Sequence, residues 1–273
     1  MADIILVRML KLLLWMAILR PAFSYTPPME NQGRQPDATE AAAILKAVCG
    51  ASAQVKDSPQ GFEAYCTPCP DFTSLHGLTT EHFRLRFVLP GNFTAPASQD
   101  LVAFFEGCEL LTENFGGAVL LNKTGDGWKM ARFVSALRPV AVRAIRLNAG
   151  RDELFAVSNA VGLGLDINSL FTFDFTVQPG TALQPILRVA DTRRACGYEI
   201  TEASLDKVTW QQQNFTATVS WGQIKASPEY LRDCPDKIPP VPTQPYELTF
   251  TFDGSTFQPV DASKPILDRI QGK

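Results

Sequence analysis

The segment Asn214-Phe215-Thr216-Ala217-Thr218-Val219-Ser220-Trp221 alternates polar and apolar side chains without a break. Successive side chains of an extended strand point to opposite faces of a sheet, so this order places an apolar row on one face. The same alternation occurs at 82–89, 171–177 and 246–252. Half-buried strands of this kind are typical of antiparallel sheets, and the chain is therefore predicted to be mainly β.

Shorter apolar runs complete the set of predicted strands, and turns such as Gly125-Asp126-Gly127 and Asp253-Gly254 separate them. These runs lie at 101–106, 117–123, 127–134, 140–147, 153–158 and 184–190. Grouped in fours, the strands make three units of similar length, at about 82–134, 139–190 and 204–259. Repeats of this length are typical of propeller blades. The predicted fold is a set of antiparallel four-stranded meanders that form an incomplete or small β-propeller-like structure, with one short N-terminal helix.

The first 24 residues resemble a secretory leader. Arg8 and Lys11 precede an apolar run that ends at Leu19, and Ala22-Phe23-Ser24 supplies the small residues that signal peptidase requires. The apolar run is too short to span a bilayer as a helix. We therefore expect a signal peptide and a secreted or periplasmic protein; an uncleaved anchor is the alternative.

The region between residues 25 and 80 is predicted to form a small cap. Its first dozen residues are polar and contain Pro and Gly, so we expect a flexible N-terminus. Asp37 and Glu40 fit a capping box, which predicts a helix over 38–48. Residues 50–80 are rich in turn formers and are expected to be a disulfide-bound loop. The chain is accordingly divided into a leader, 1–24, the cap, 25–80, and a β domain, 81–273.

All six cysteines follow the leader, and an even number in an exported protein favours disulfides. They are Cys49, Cys66, Cys69, Cys108, Cys196 and Cys234. Because Cys196 and Cys234 flank the same β-rich segment, we expect them to pair. The other four allow three arrangements, of which Cys49–Cys66 with Cys69–Cys108 is one.

The turn Gly91-Asn92-Phe93-Thr94, the strand start Asp100-Leu101-Val102 and the run Gly116-Gly117-Ala118-Val119-Leu120-Leu121 resemble a degenerate FG-GAP/VCBS-type repeat. Matches at Gly107-Cys108-Glu109 and Asn114-Phe115-Gly116-Gly117 extend the resemblance to uncharacterised secreted bacterial proteins. It covers about residues 82–190 and implies propeller blades in an exported protein that binds proteins, ligands or carbohydrate.

The chain departs from that family in its calcium-binding loop. The family's loop carries carboxylates at alternating positions, whereas residues 92–99 contain none before Asp100. A hard cation such as Ca²⁺ requires several oxygen ligands, several of them charged. No metal or cofactor is therefore predicted in this loop.

The charge balance excludes two classes of partner. The chain has 25 Lys and Arg against 28 Asp and Glu, and without residues 1–24 the balance becomes 22 against 27. A mature net charge of −5 supplies no basic face for nucleic acid or for an anionic membrane surface. No later segment is long and apolar enough to span a membrane. An unidentified protein or carbohydrate is the expected partner.

Cysteine and histidine residues near position 70 offer one alternative chemistry. Cys66-Thr67-Pro68-Cys69 has the spacing of zinc and redox sites, and His76 and His82 follow it. Zinc fingers have a longer connection before their histidines, and no βαβ pattern supports a redox domain. Structural disulfides are the preferred interpretation.

Carboxylates and aromatic residues offer the remaining alternatives. A glycoside hydrolase needs two carboxylates in one cleft, but the spacing selects no pair among Glu106, Glu109, Glu113, Asp166 and Asp174. No Gly-x-Ser-x-Gly elbow indicates a serine hydrolase. A set of aromatic residues is interpreted as core packing, with a ligand platform as the alternative. The set comprises Trp128, Trp210, Trp221, Phe104 and Phe105.

No catalytic residue is assigned. The sequence favours an exported, non-enzymatic binding or scaffold module, in which surface loops carry recognition. A secreted carbohydrate hydrolase with paired carboxylates is the alternative.

Overall fold

A computed structural model describes residues 27–59, 61–109, 116–147, 150–178, 185–211, 213–234 and 237–272. The predicted leader, 1–24, lies outside the described residues. The described chain contains α-helices α1 (Ala38–Cys49), α2 (Pro228–Asp233) and α3 (Lys264–Gln271). Its strands are β1 (Ala53–Ser58), β2 (Gly61–Cys66), β3 (Phe83–Gly91), β4 (Asp100–Glu106), β5 (Gly116–Thr124), β6 (Gly127–Ser135), β7 (Pro139–Arg146), β8 (Asp152–Gly162), β9 (Leu165–Phe173), β10 (Pro185–Asp191), β11 (Glu199–Gln211), β12 (Asn214–Lys225), β13 (Gln244–Phe252) and β14 (Phe257–Pro259).

The strands form three antiparallel sheets in which each strand pairs with its neighbours in sequence. Strands β1–β6 form the first sheet, β7–β10 the second and β11–β14 the third. The prediction of a mainly β chain built from antiparallel meanders is confirmed. The predicted units at 82–134, 139–190 and 204–259 correspond to β3–β6, β7–β10 and β11–β14, so apolar alternation located the four-stranded groups well.

The sheets pack face to face, and α1 covers the outer face of the first sheet. Phe105 points toward α1, where it packs with Ile44 and Leu45, whereas the adjacent Phe104 points toward the second sheet. On the far side of the second sheet, Phe155 packs on Phe215 of the third. The first two sheets therefore bury both of their faces. This explains why β4 and β8 carry apolar side chains on both faces instead of alternating apolar and polar residues.

The N-terminal helix begins and ends close to its predicted bounds. Asp37 Oδ1 accepts a hydrogen bond from Glu40 N at 2.8 Å, and Gly50 ends α1 with a φ of +55°. The predicted role of the Glu40 side chain in the capping box is wrong. The Glu40 carboxylate instead binds the Arg34 guanidinium at 2.6 and 2.7 Å.

Two expectations for the cap are wrong. Residues 53–66, expected within a loop, form the hairpin β1–β2, which extends the first sheet across the expected boundary between cap and β domain. Residues 28–34, expected within a flexible terminus, are bonded to all three sheets. Pro28 O accepts from Val208 N at 2.6 Å, Gln32 N donates to Val142 O at 2.9 Å, and Arg34 forms a bridge with Val88.

The predicted strand at 171–177 is too long. Strand β9 ends at Phe173, after which Asp174 Oδ1 accepts hydrogen bonds from Thr176 N and Thr176 Oγ1, both at 2.7 Å, and turns the chain. Phe175 stays buried because its ring packs against Phe93 and Phe173. The predicted strand was too long because the apolar alternation in the sequence continues through the turn that the Asp174 carboxylate stabilises.

Three disulfides join the six cysteines: the expected Cys196–Cys234 pair is confirmed, and the other four form one of the three arrangements left open. They are Cys49–Cys66, Cys69–Cys108 and Cys196–Cys234, with Cα–Cα distances of 5.9, 5.7 and 5.6 Å. The first fastens the end of α1 to β2, and the second joins the segment after β2 to the end of β4. Among the described helices, none has both the length and the apolar content that a bilayer crossing demands.

Candidate functional site

A polar cavity of about 550 Å³ opens where β4 ends and β7 begins, at the seam between the first and second sheets. We name it the arginine cavity. It is lined by Leu75, Thr80, Glu81, His82, Arg84, Arg86, Glu106, Gly107, Cys108, Glu109 and Arg138. Strand β3 supplies two of its arginines, and the third precedes β7. The arrangement brings together residues more than fifty positions apart. Of these residues, the sequence analysis had singled out His82, Glu106 and Glu109 for possible chemistry and Cys108 as a disulfide cysteine.

Glu106 organises the arginines. Its Oε2 forms an ion pair with Arg86 Nε at 3.2 Å, and its Oε1 forms one with Arg138 Nη2 at 3.1 Å. Each guanidinium has five N–H donors, so most of the donors of these two arginines remain available. Arg84 is exposed and forms no ion pair with any described residue. The cavity therefore offers more hydrogen-bond donors than its own acceptors use.

Glu109 holds the wall of the cavity in place. It is 2 % exposed, and its two carboxylate oxygens accept hydrogen bonds from Ser74 N at 3.3 Å and from Ser74 Oγ. These bonds fasten the segment after Cys69 to the segment after β4. Because a buried carboxylate is stable only when it is bonded, both oxygens of Glu109 serve the fold.

The backbone at the rim adopts an uncommon conformation. Gly107 and Cys108 have φ angles of +92° and +61°. A Cβ at position 107 would lie 2.2 Å from His82 O, so glycine is required there. Cys108 is held in this conformation by its disulfide to Cys69. Backbone in such a conformation costs free energy and persists only where surrounding contacts maintain it. It is found preferentially at binding and active sites.

His82 lies beside this rim. Its ring centroid is 4.4 Å from that of Tyr65, and its Nδ1 is buried without a hydrogen-bond partner among the described residues. A buried polar atom in this state is uncommon in folded proteins.

A second cavity of about 340 Å³ shares Arg84 and Arg86 with the first. We name it the Phe62 cavity, after the aromatic residue in its wall. It exists because β2 and β3 pair only at Tyr65↔Arg84 and Cys66↔Phe83. On that side of β3 the next partner is Arg34, which bridges Val88. Within the described chain, β2 thus lies across this cavity from β3 without pairing with residues 85–87.

The alternative metal and redox chemistry is wrong. Cys66 and Cys69 belong to two different disulfides, so neither can ligate zinc and the two do not form a redox pair. The described residues contain no group of three or more His, Cys, Asp or Glu side chains placed to hold a metal ion.

The aromatic residues serve the core. Phe104 and Phe105 are 1 % exposed and Trp221 is 4 % exposed. Trp210 packs edge-on against Phe155 at 4.6 Å, and Lys123 covers Trp128 at 4.5 Å. The core interpretation is confirmed for Phe104, Phe105 and Trp221, whereas Trp128 and Trp210 are partly buried and pack against the core.

The remaining candidate carboxylates are separated. Asp166 accepts from Asn159 Nδ2 at 2.6 Å in the hairpin β8–β9. Asp174 binds Arg151 through both oxygens, at 2.8 and 3.0 Å. Glu113 lies outside the described residues. Among the candidates that the structure describes, Glu106 and Glu109 line the arginine cavity together, and Glu81 lines it beside them.

The loop at 92–99, for which the sequence resemblance suggested a degenerate calcium loop, is closed by hydrogen bonds. Asp100 accepts from Thr94 N at 2.7 Å, Ser98 Oγ at 2.5 Å and Asn122 Nδ2 at 2.8 Å. Burial raises the pKa of Asp100, but these hydrogen bonds together lower it by more, so its pKa lies below the ordinary value. Polar N–H and O–H groups occupy the carboxylate that would otherwise face a cation.

Comparison with known proteins adds no relative. No family model, no curated protein and no solved structure matches the chain. The candidate site therefore depends on the geometry described above.

Proposed function

We propose that the chain is an exported, disulfide-linked binding module and that the arginine cavity is its ligand site. The observation that carries the proposal is the excess of guanidinium donors around Glu106. Arg86 and Arg138 each contribute one nitrogen to that carboxylate, and Arg84 contributes none. Donors that the fold does not use are free to bind a ligand.

The surroundings of the cavity support binding. The Cys69–Cys108 disulfide and the buried Glu109 hold its wall, and rigid walls reduce the entropy lost when a ligand binds. The sheets on which the arginines lie pack face to face, as blades do, so we extend the proposal to a propeller-like scaffold. Secretion follows from the leader and the disulfides, which persist in oxidising compartments.

The proposal requires export and binding, which are tested separately. Fusion of residues 1–24 to a reporter that is active only outside the cytoplasm should give activity, and a leader with Leu12–Leu19 deleted should not. The purified mature chain should then bind members of a peptide and glycan array. Arg138→Gln should reduce that signal, whereas Arg188→Gln, an exposed change on β10, should leave it unchanged. Binding that is equal in both variants would place the ligand site elsewhere.

A carbohydrate hydrolase is the second candidate, because Glu106 and Glu109 line the same cavity. The bonds of both carboxylates to protein groups argue against it, since a general acid or nucleophile must reach the substrate. Reducing-end release from polysaccharides by the wild type, abolished in Glu106→Gln and retained in Asp166→Asn, would favour the hydrolase over the binding module.

A further inference from the structure

We propose that the arginine cavity binds a neutral saccharide through the hydroxyl groups of the sugar. This inference rests on the proposed function and names the ligand class of the same site. It depends on the charge balance of the cavity, on the donors and acceptors that its walls leave free, and on the residues that it shares with the Phe62 cavity.

The charges around the cavity cancel. Its wall carries three arginines and three glutamates, which are Arg84, Arg86, Arg138, Glu81, Glu106 and Glu109. The Phe62 cavity adds Glu63. An anionic ligand would meet the glutamates and a cationic ligand the arginines, so neither sign of charge is favoured. Ion pairs at exposed sites also contribute little affinity, because water screens them. The lining therefore favours a ligand without net charge.

The cavity offers hydrogen-bond donors and acceptors side by side. Glu81 and Arg84 are exposed, and neither side chain forms an ion pair or a hydrogen bond within the described chain. Glu106 is held by one nitrogen each of Arg86 and Arg138, so both guanidinium groups keep unused N–H donors. A hydroxyl group donates one hydrogen bond and also accepts. Neighbouring hydroxyls of a sugar can therefore accept from arginine and donate to glutamate in the same wall.

The polar walls suit a saccharide more than an apolar ligand or a free amino acid. Among the described residues, Leu75 is the one aliphatic residue that lines the arginine cavity. An apolar ligand would leave the polar groups around it unpaired, which costs free energy. A free amino acid would pair one ammonium and one carboxylate and leave the other donors and acceptors of the wall unused. A saccharide presents hydroxyl groups around its whole ring.

The Phe62 cavity extends the site beyond one sugar ring. Arg84 and Arg86 line both cavities, whose volumes are about 550 and 340 Å³. Sites for small molecules span about 300–1,000 Å³, so each cavity has room for a sugar ring. In the smaller cavity, the partly buried Phe62 supplies an apolar wall for the C–H groups of a ring. The two cavities together therefore fit a short oligosaccharide.

The test uses the full mature chain with its disulfides intact and a panel of uncharged hexasaccharides. The panel contains cellohexaose, xylohexaose, mannohexaose, maltohexaose and N-acetylchitohexaose. Titration calorimetry should detect binding of at least one member. Its affinity should change less than about twofold between about 50 and 500 mM salt, because the ligand has no charge to be screened. Absence of binding to every member would overturn the inference.

Two variants of opposite charge change give the sharpest test. Glu81→Gln and Arg84→Gln should retain the fold, because both side chains are exposed and lack an internal partner. Each should weaken the bound hexasaccharide about fivefold or more, since each removes a charge-assisted hydrogen bond. The matched controls, Glu247→Gln on β13 and Arg188→Gln on β10, are exposed changes and should alter the affinity less than about twofold. Tighter binding by Glu81→Gln would indicate an acidic ligand, and unchanged affinity in both variants would place the sugar elsewhere; either result would overturn the inference.

Charged probes distinguish failure of this inference from failure of the proposed function. Hexagalacturonate is anionic, the chitosan hexamer is cationic, and triglycine carries both charges. Preference for any of them over the neutral panel, with binding lost in Arg138→Gln, would overturn the saccharide assignment and keep the binding module. If neither these probes nor any array ligand responds to Arg138→Gln, the proposed function fails together with this inference.

Discussion

Asn92 and Asp152 bind each other twice across the seam between the first and second sheets. Asn92 N donates to Asp152 Oδ2 at 2.8 Å, and Asp152 N donates to Asn92 O at 2.9 Å. Arg146 Nε also donates to Asp152 Oδ1 at 3.2 Å. One carboxylate at the start of β8 therefore joins the loop after β3 to the second sheet.

Loss of that carboxylate should destabilise the fold. Asp152 is 7 % exposed, so Asp152→Ala leaves Asn92 N without its acceptor and should lower the free energy of unfolding by about 2–3 kcal/mol. Urea denaturation followed by tryptophan fluorescence measures this change. Asp126→Ala, in the exposed turn between β5 and β6, is the control and should stay within about 0.5 kcal/mol. Equal effects of the two changes would contradict the role of Asp152.

The position of Asp152 was visible in the sequence, but its partner was not. The sequence Asp100-Leu101-Val102 is similar to Asp152-Glu153-Leu154. The two segments occupy equivalent places, since each aspartate begins the second strand of its four-stranded unit. Alternation of polar and apolar residues determines which face of a strand is apolar. Because this alternation is a local property of the sequence, it was sufficient to locate the three four-stranded units. Asn92 lies sixty residues from Asp152, and no local pattern reports such a contact.

The N-terminal segment shows the same limit. Its Pro, Gly and polar residues predict a flexible terminus, yet residues 28–34 cross all three sheets and bury Met29 to 6 % exposure. Propensity describes what a segment does alone, whereas here tertiary hydrogen bonds decide the conformation. The arginine cavity could not be predicted from the sequence for a related reason: Arg138 reaches Glu106 only when the sheets pack together.

Removal of the N-terminal segment should therefore weaken the whole fold. Deletion of residues 25–33 removes the bonds of Pro28 and Gln32 and exposes the surface that Met29 covers. We expect the free energy of unfolding to fall by about 3–5 kcal/mol, and Met29→Ala alone to account for about 2 kcal/mol or more. Denaturant titration checks both values. Deletion of residues 25–26 alone should have little effect, and a similar loss in that control would contradict the prediction.

Asp174 should make stability depend on pH in the acid range. Partial burial raises its pKa, but hydrogen bonds from Arg151 and Thr176 lower it more, to about 2. Because the folded pKa lies below the unfolded value of about 3.9, this contribution is complete above pH 4 and is lost as the pH falls toward 2. Solvent screens the pair in part, so the loss should be about 1–2 kcal/mol. Unfolding free energies measured between pH 5 and 2 should fall less steeply in Asp174→Asn than in the wild type, and parallel curves would contradict this.

Gly107 should be the least replaceable glycine at the rim of the arginine cavity. Alanine at this position must adopt a φ of +92° with its Cβ 2.2 Å from His82 O, so the backbone between β4 and Cys108 has to move. We expect Gly107→Ala to lower the free energy of unfolding by about 2–4 kcal/mol. It should also weaken binding of the array ligands that respond to Arg138→Gln, because Glu106 and Cys108 flank the displaced backbone. Gly125→Ala is the matched control, since its Cβ meets no atom within 4 Å, and it should change neither quantity appreciably. Unchanged stability in Gly107→Ala would show that the rim tolerates a side chain and would remove the conformational argument for a rigid binding wall.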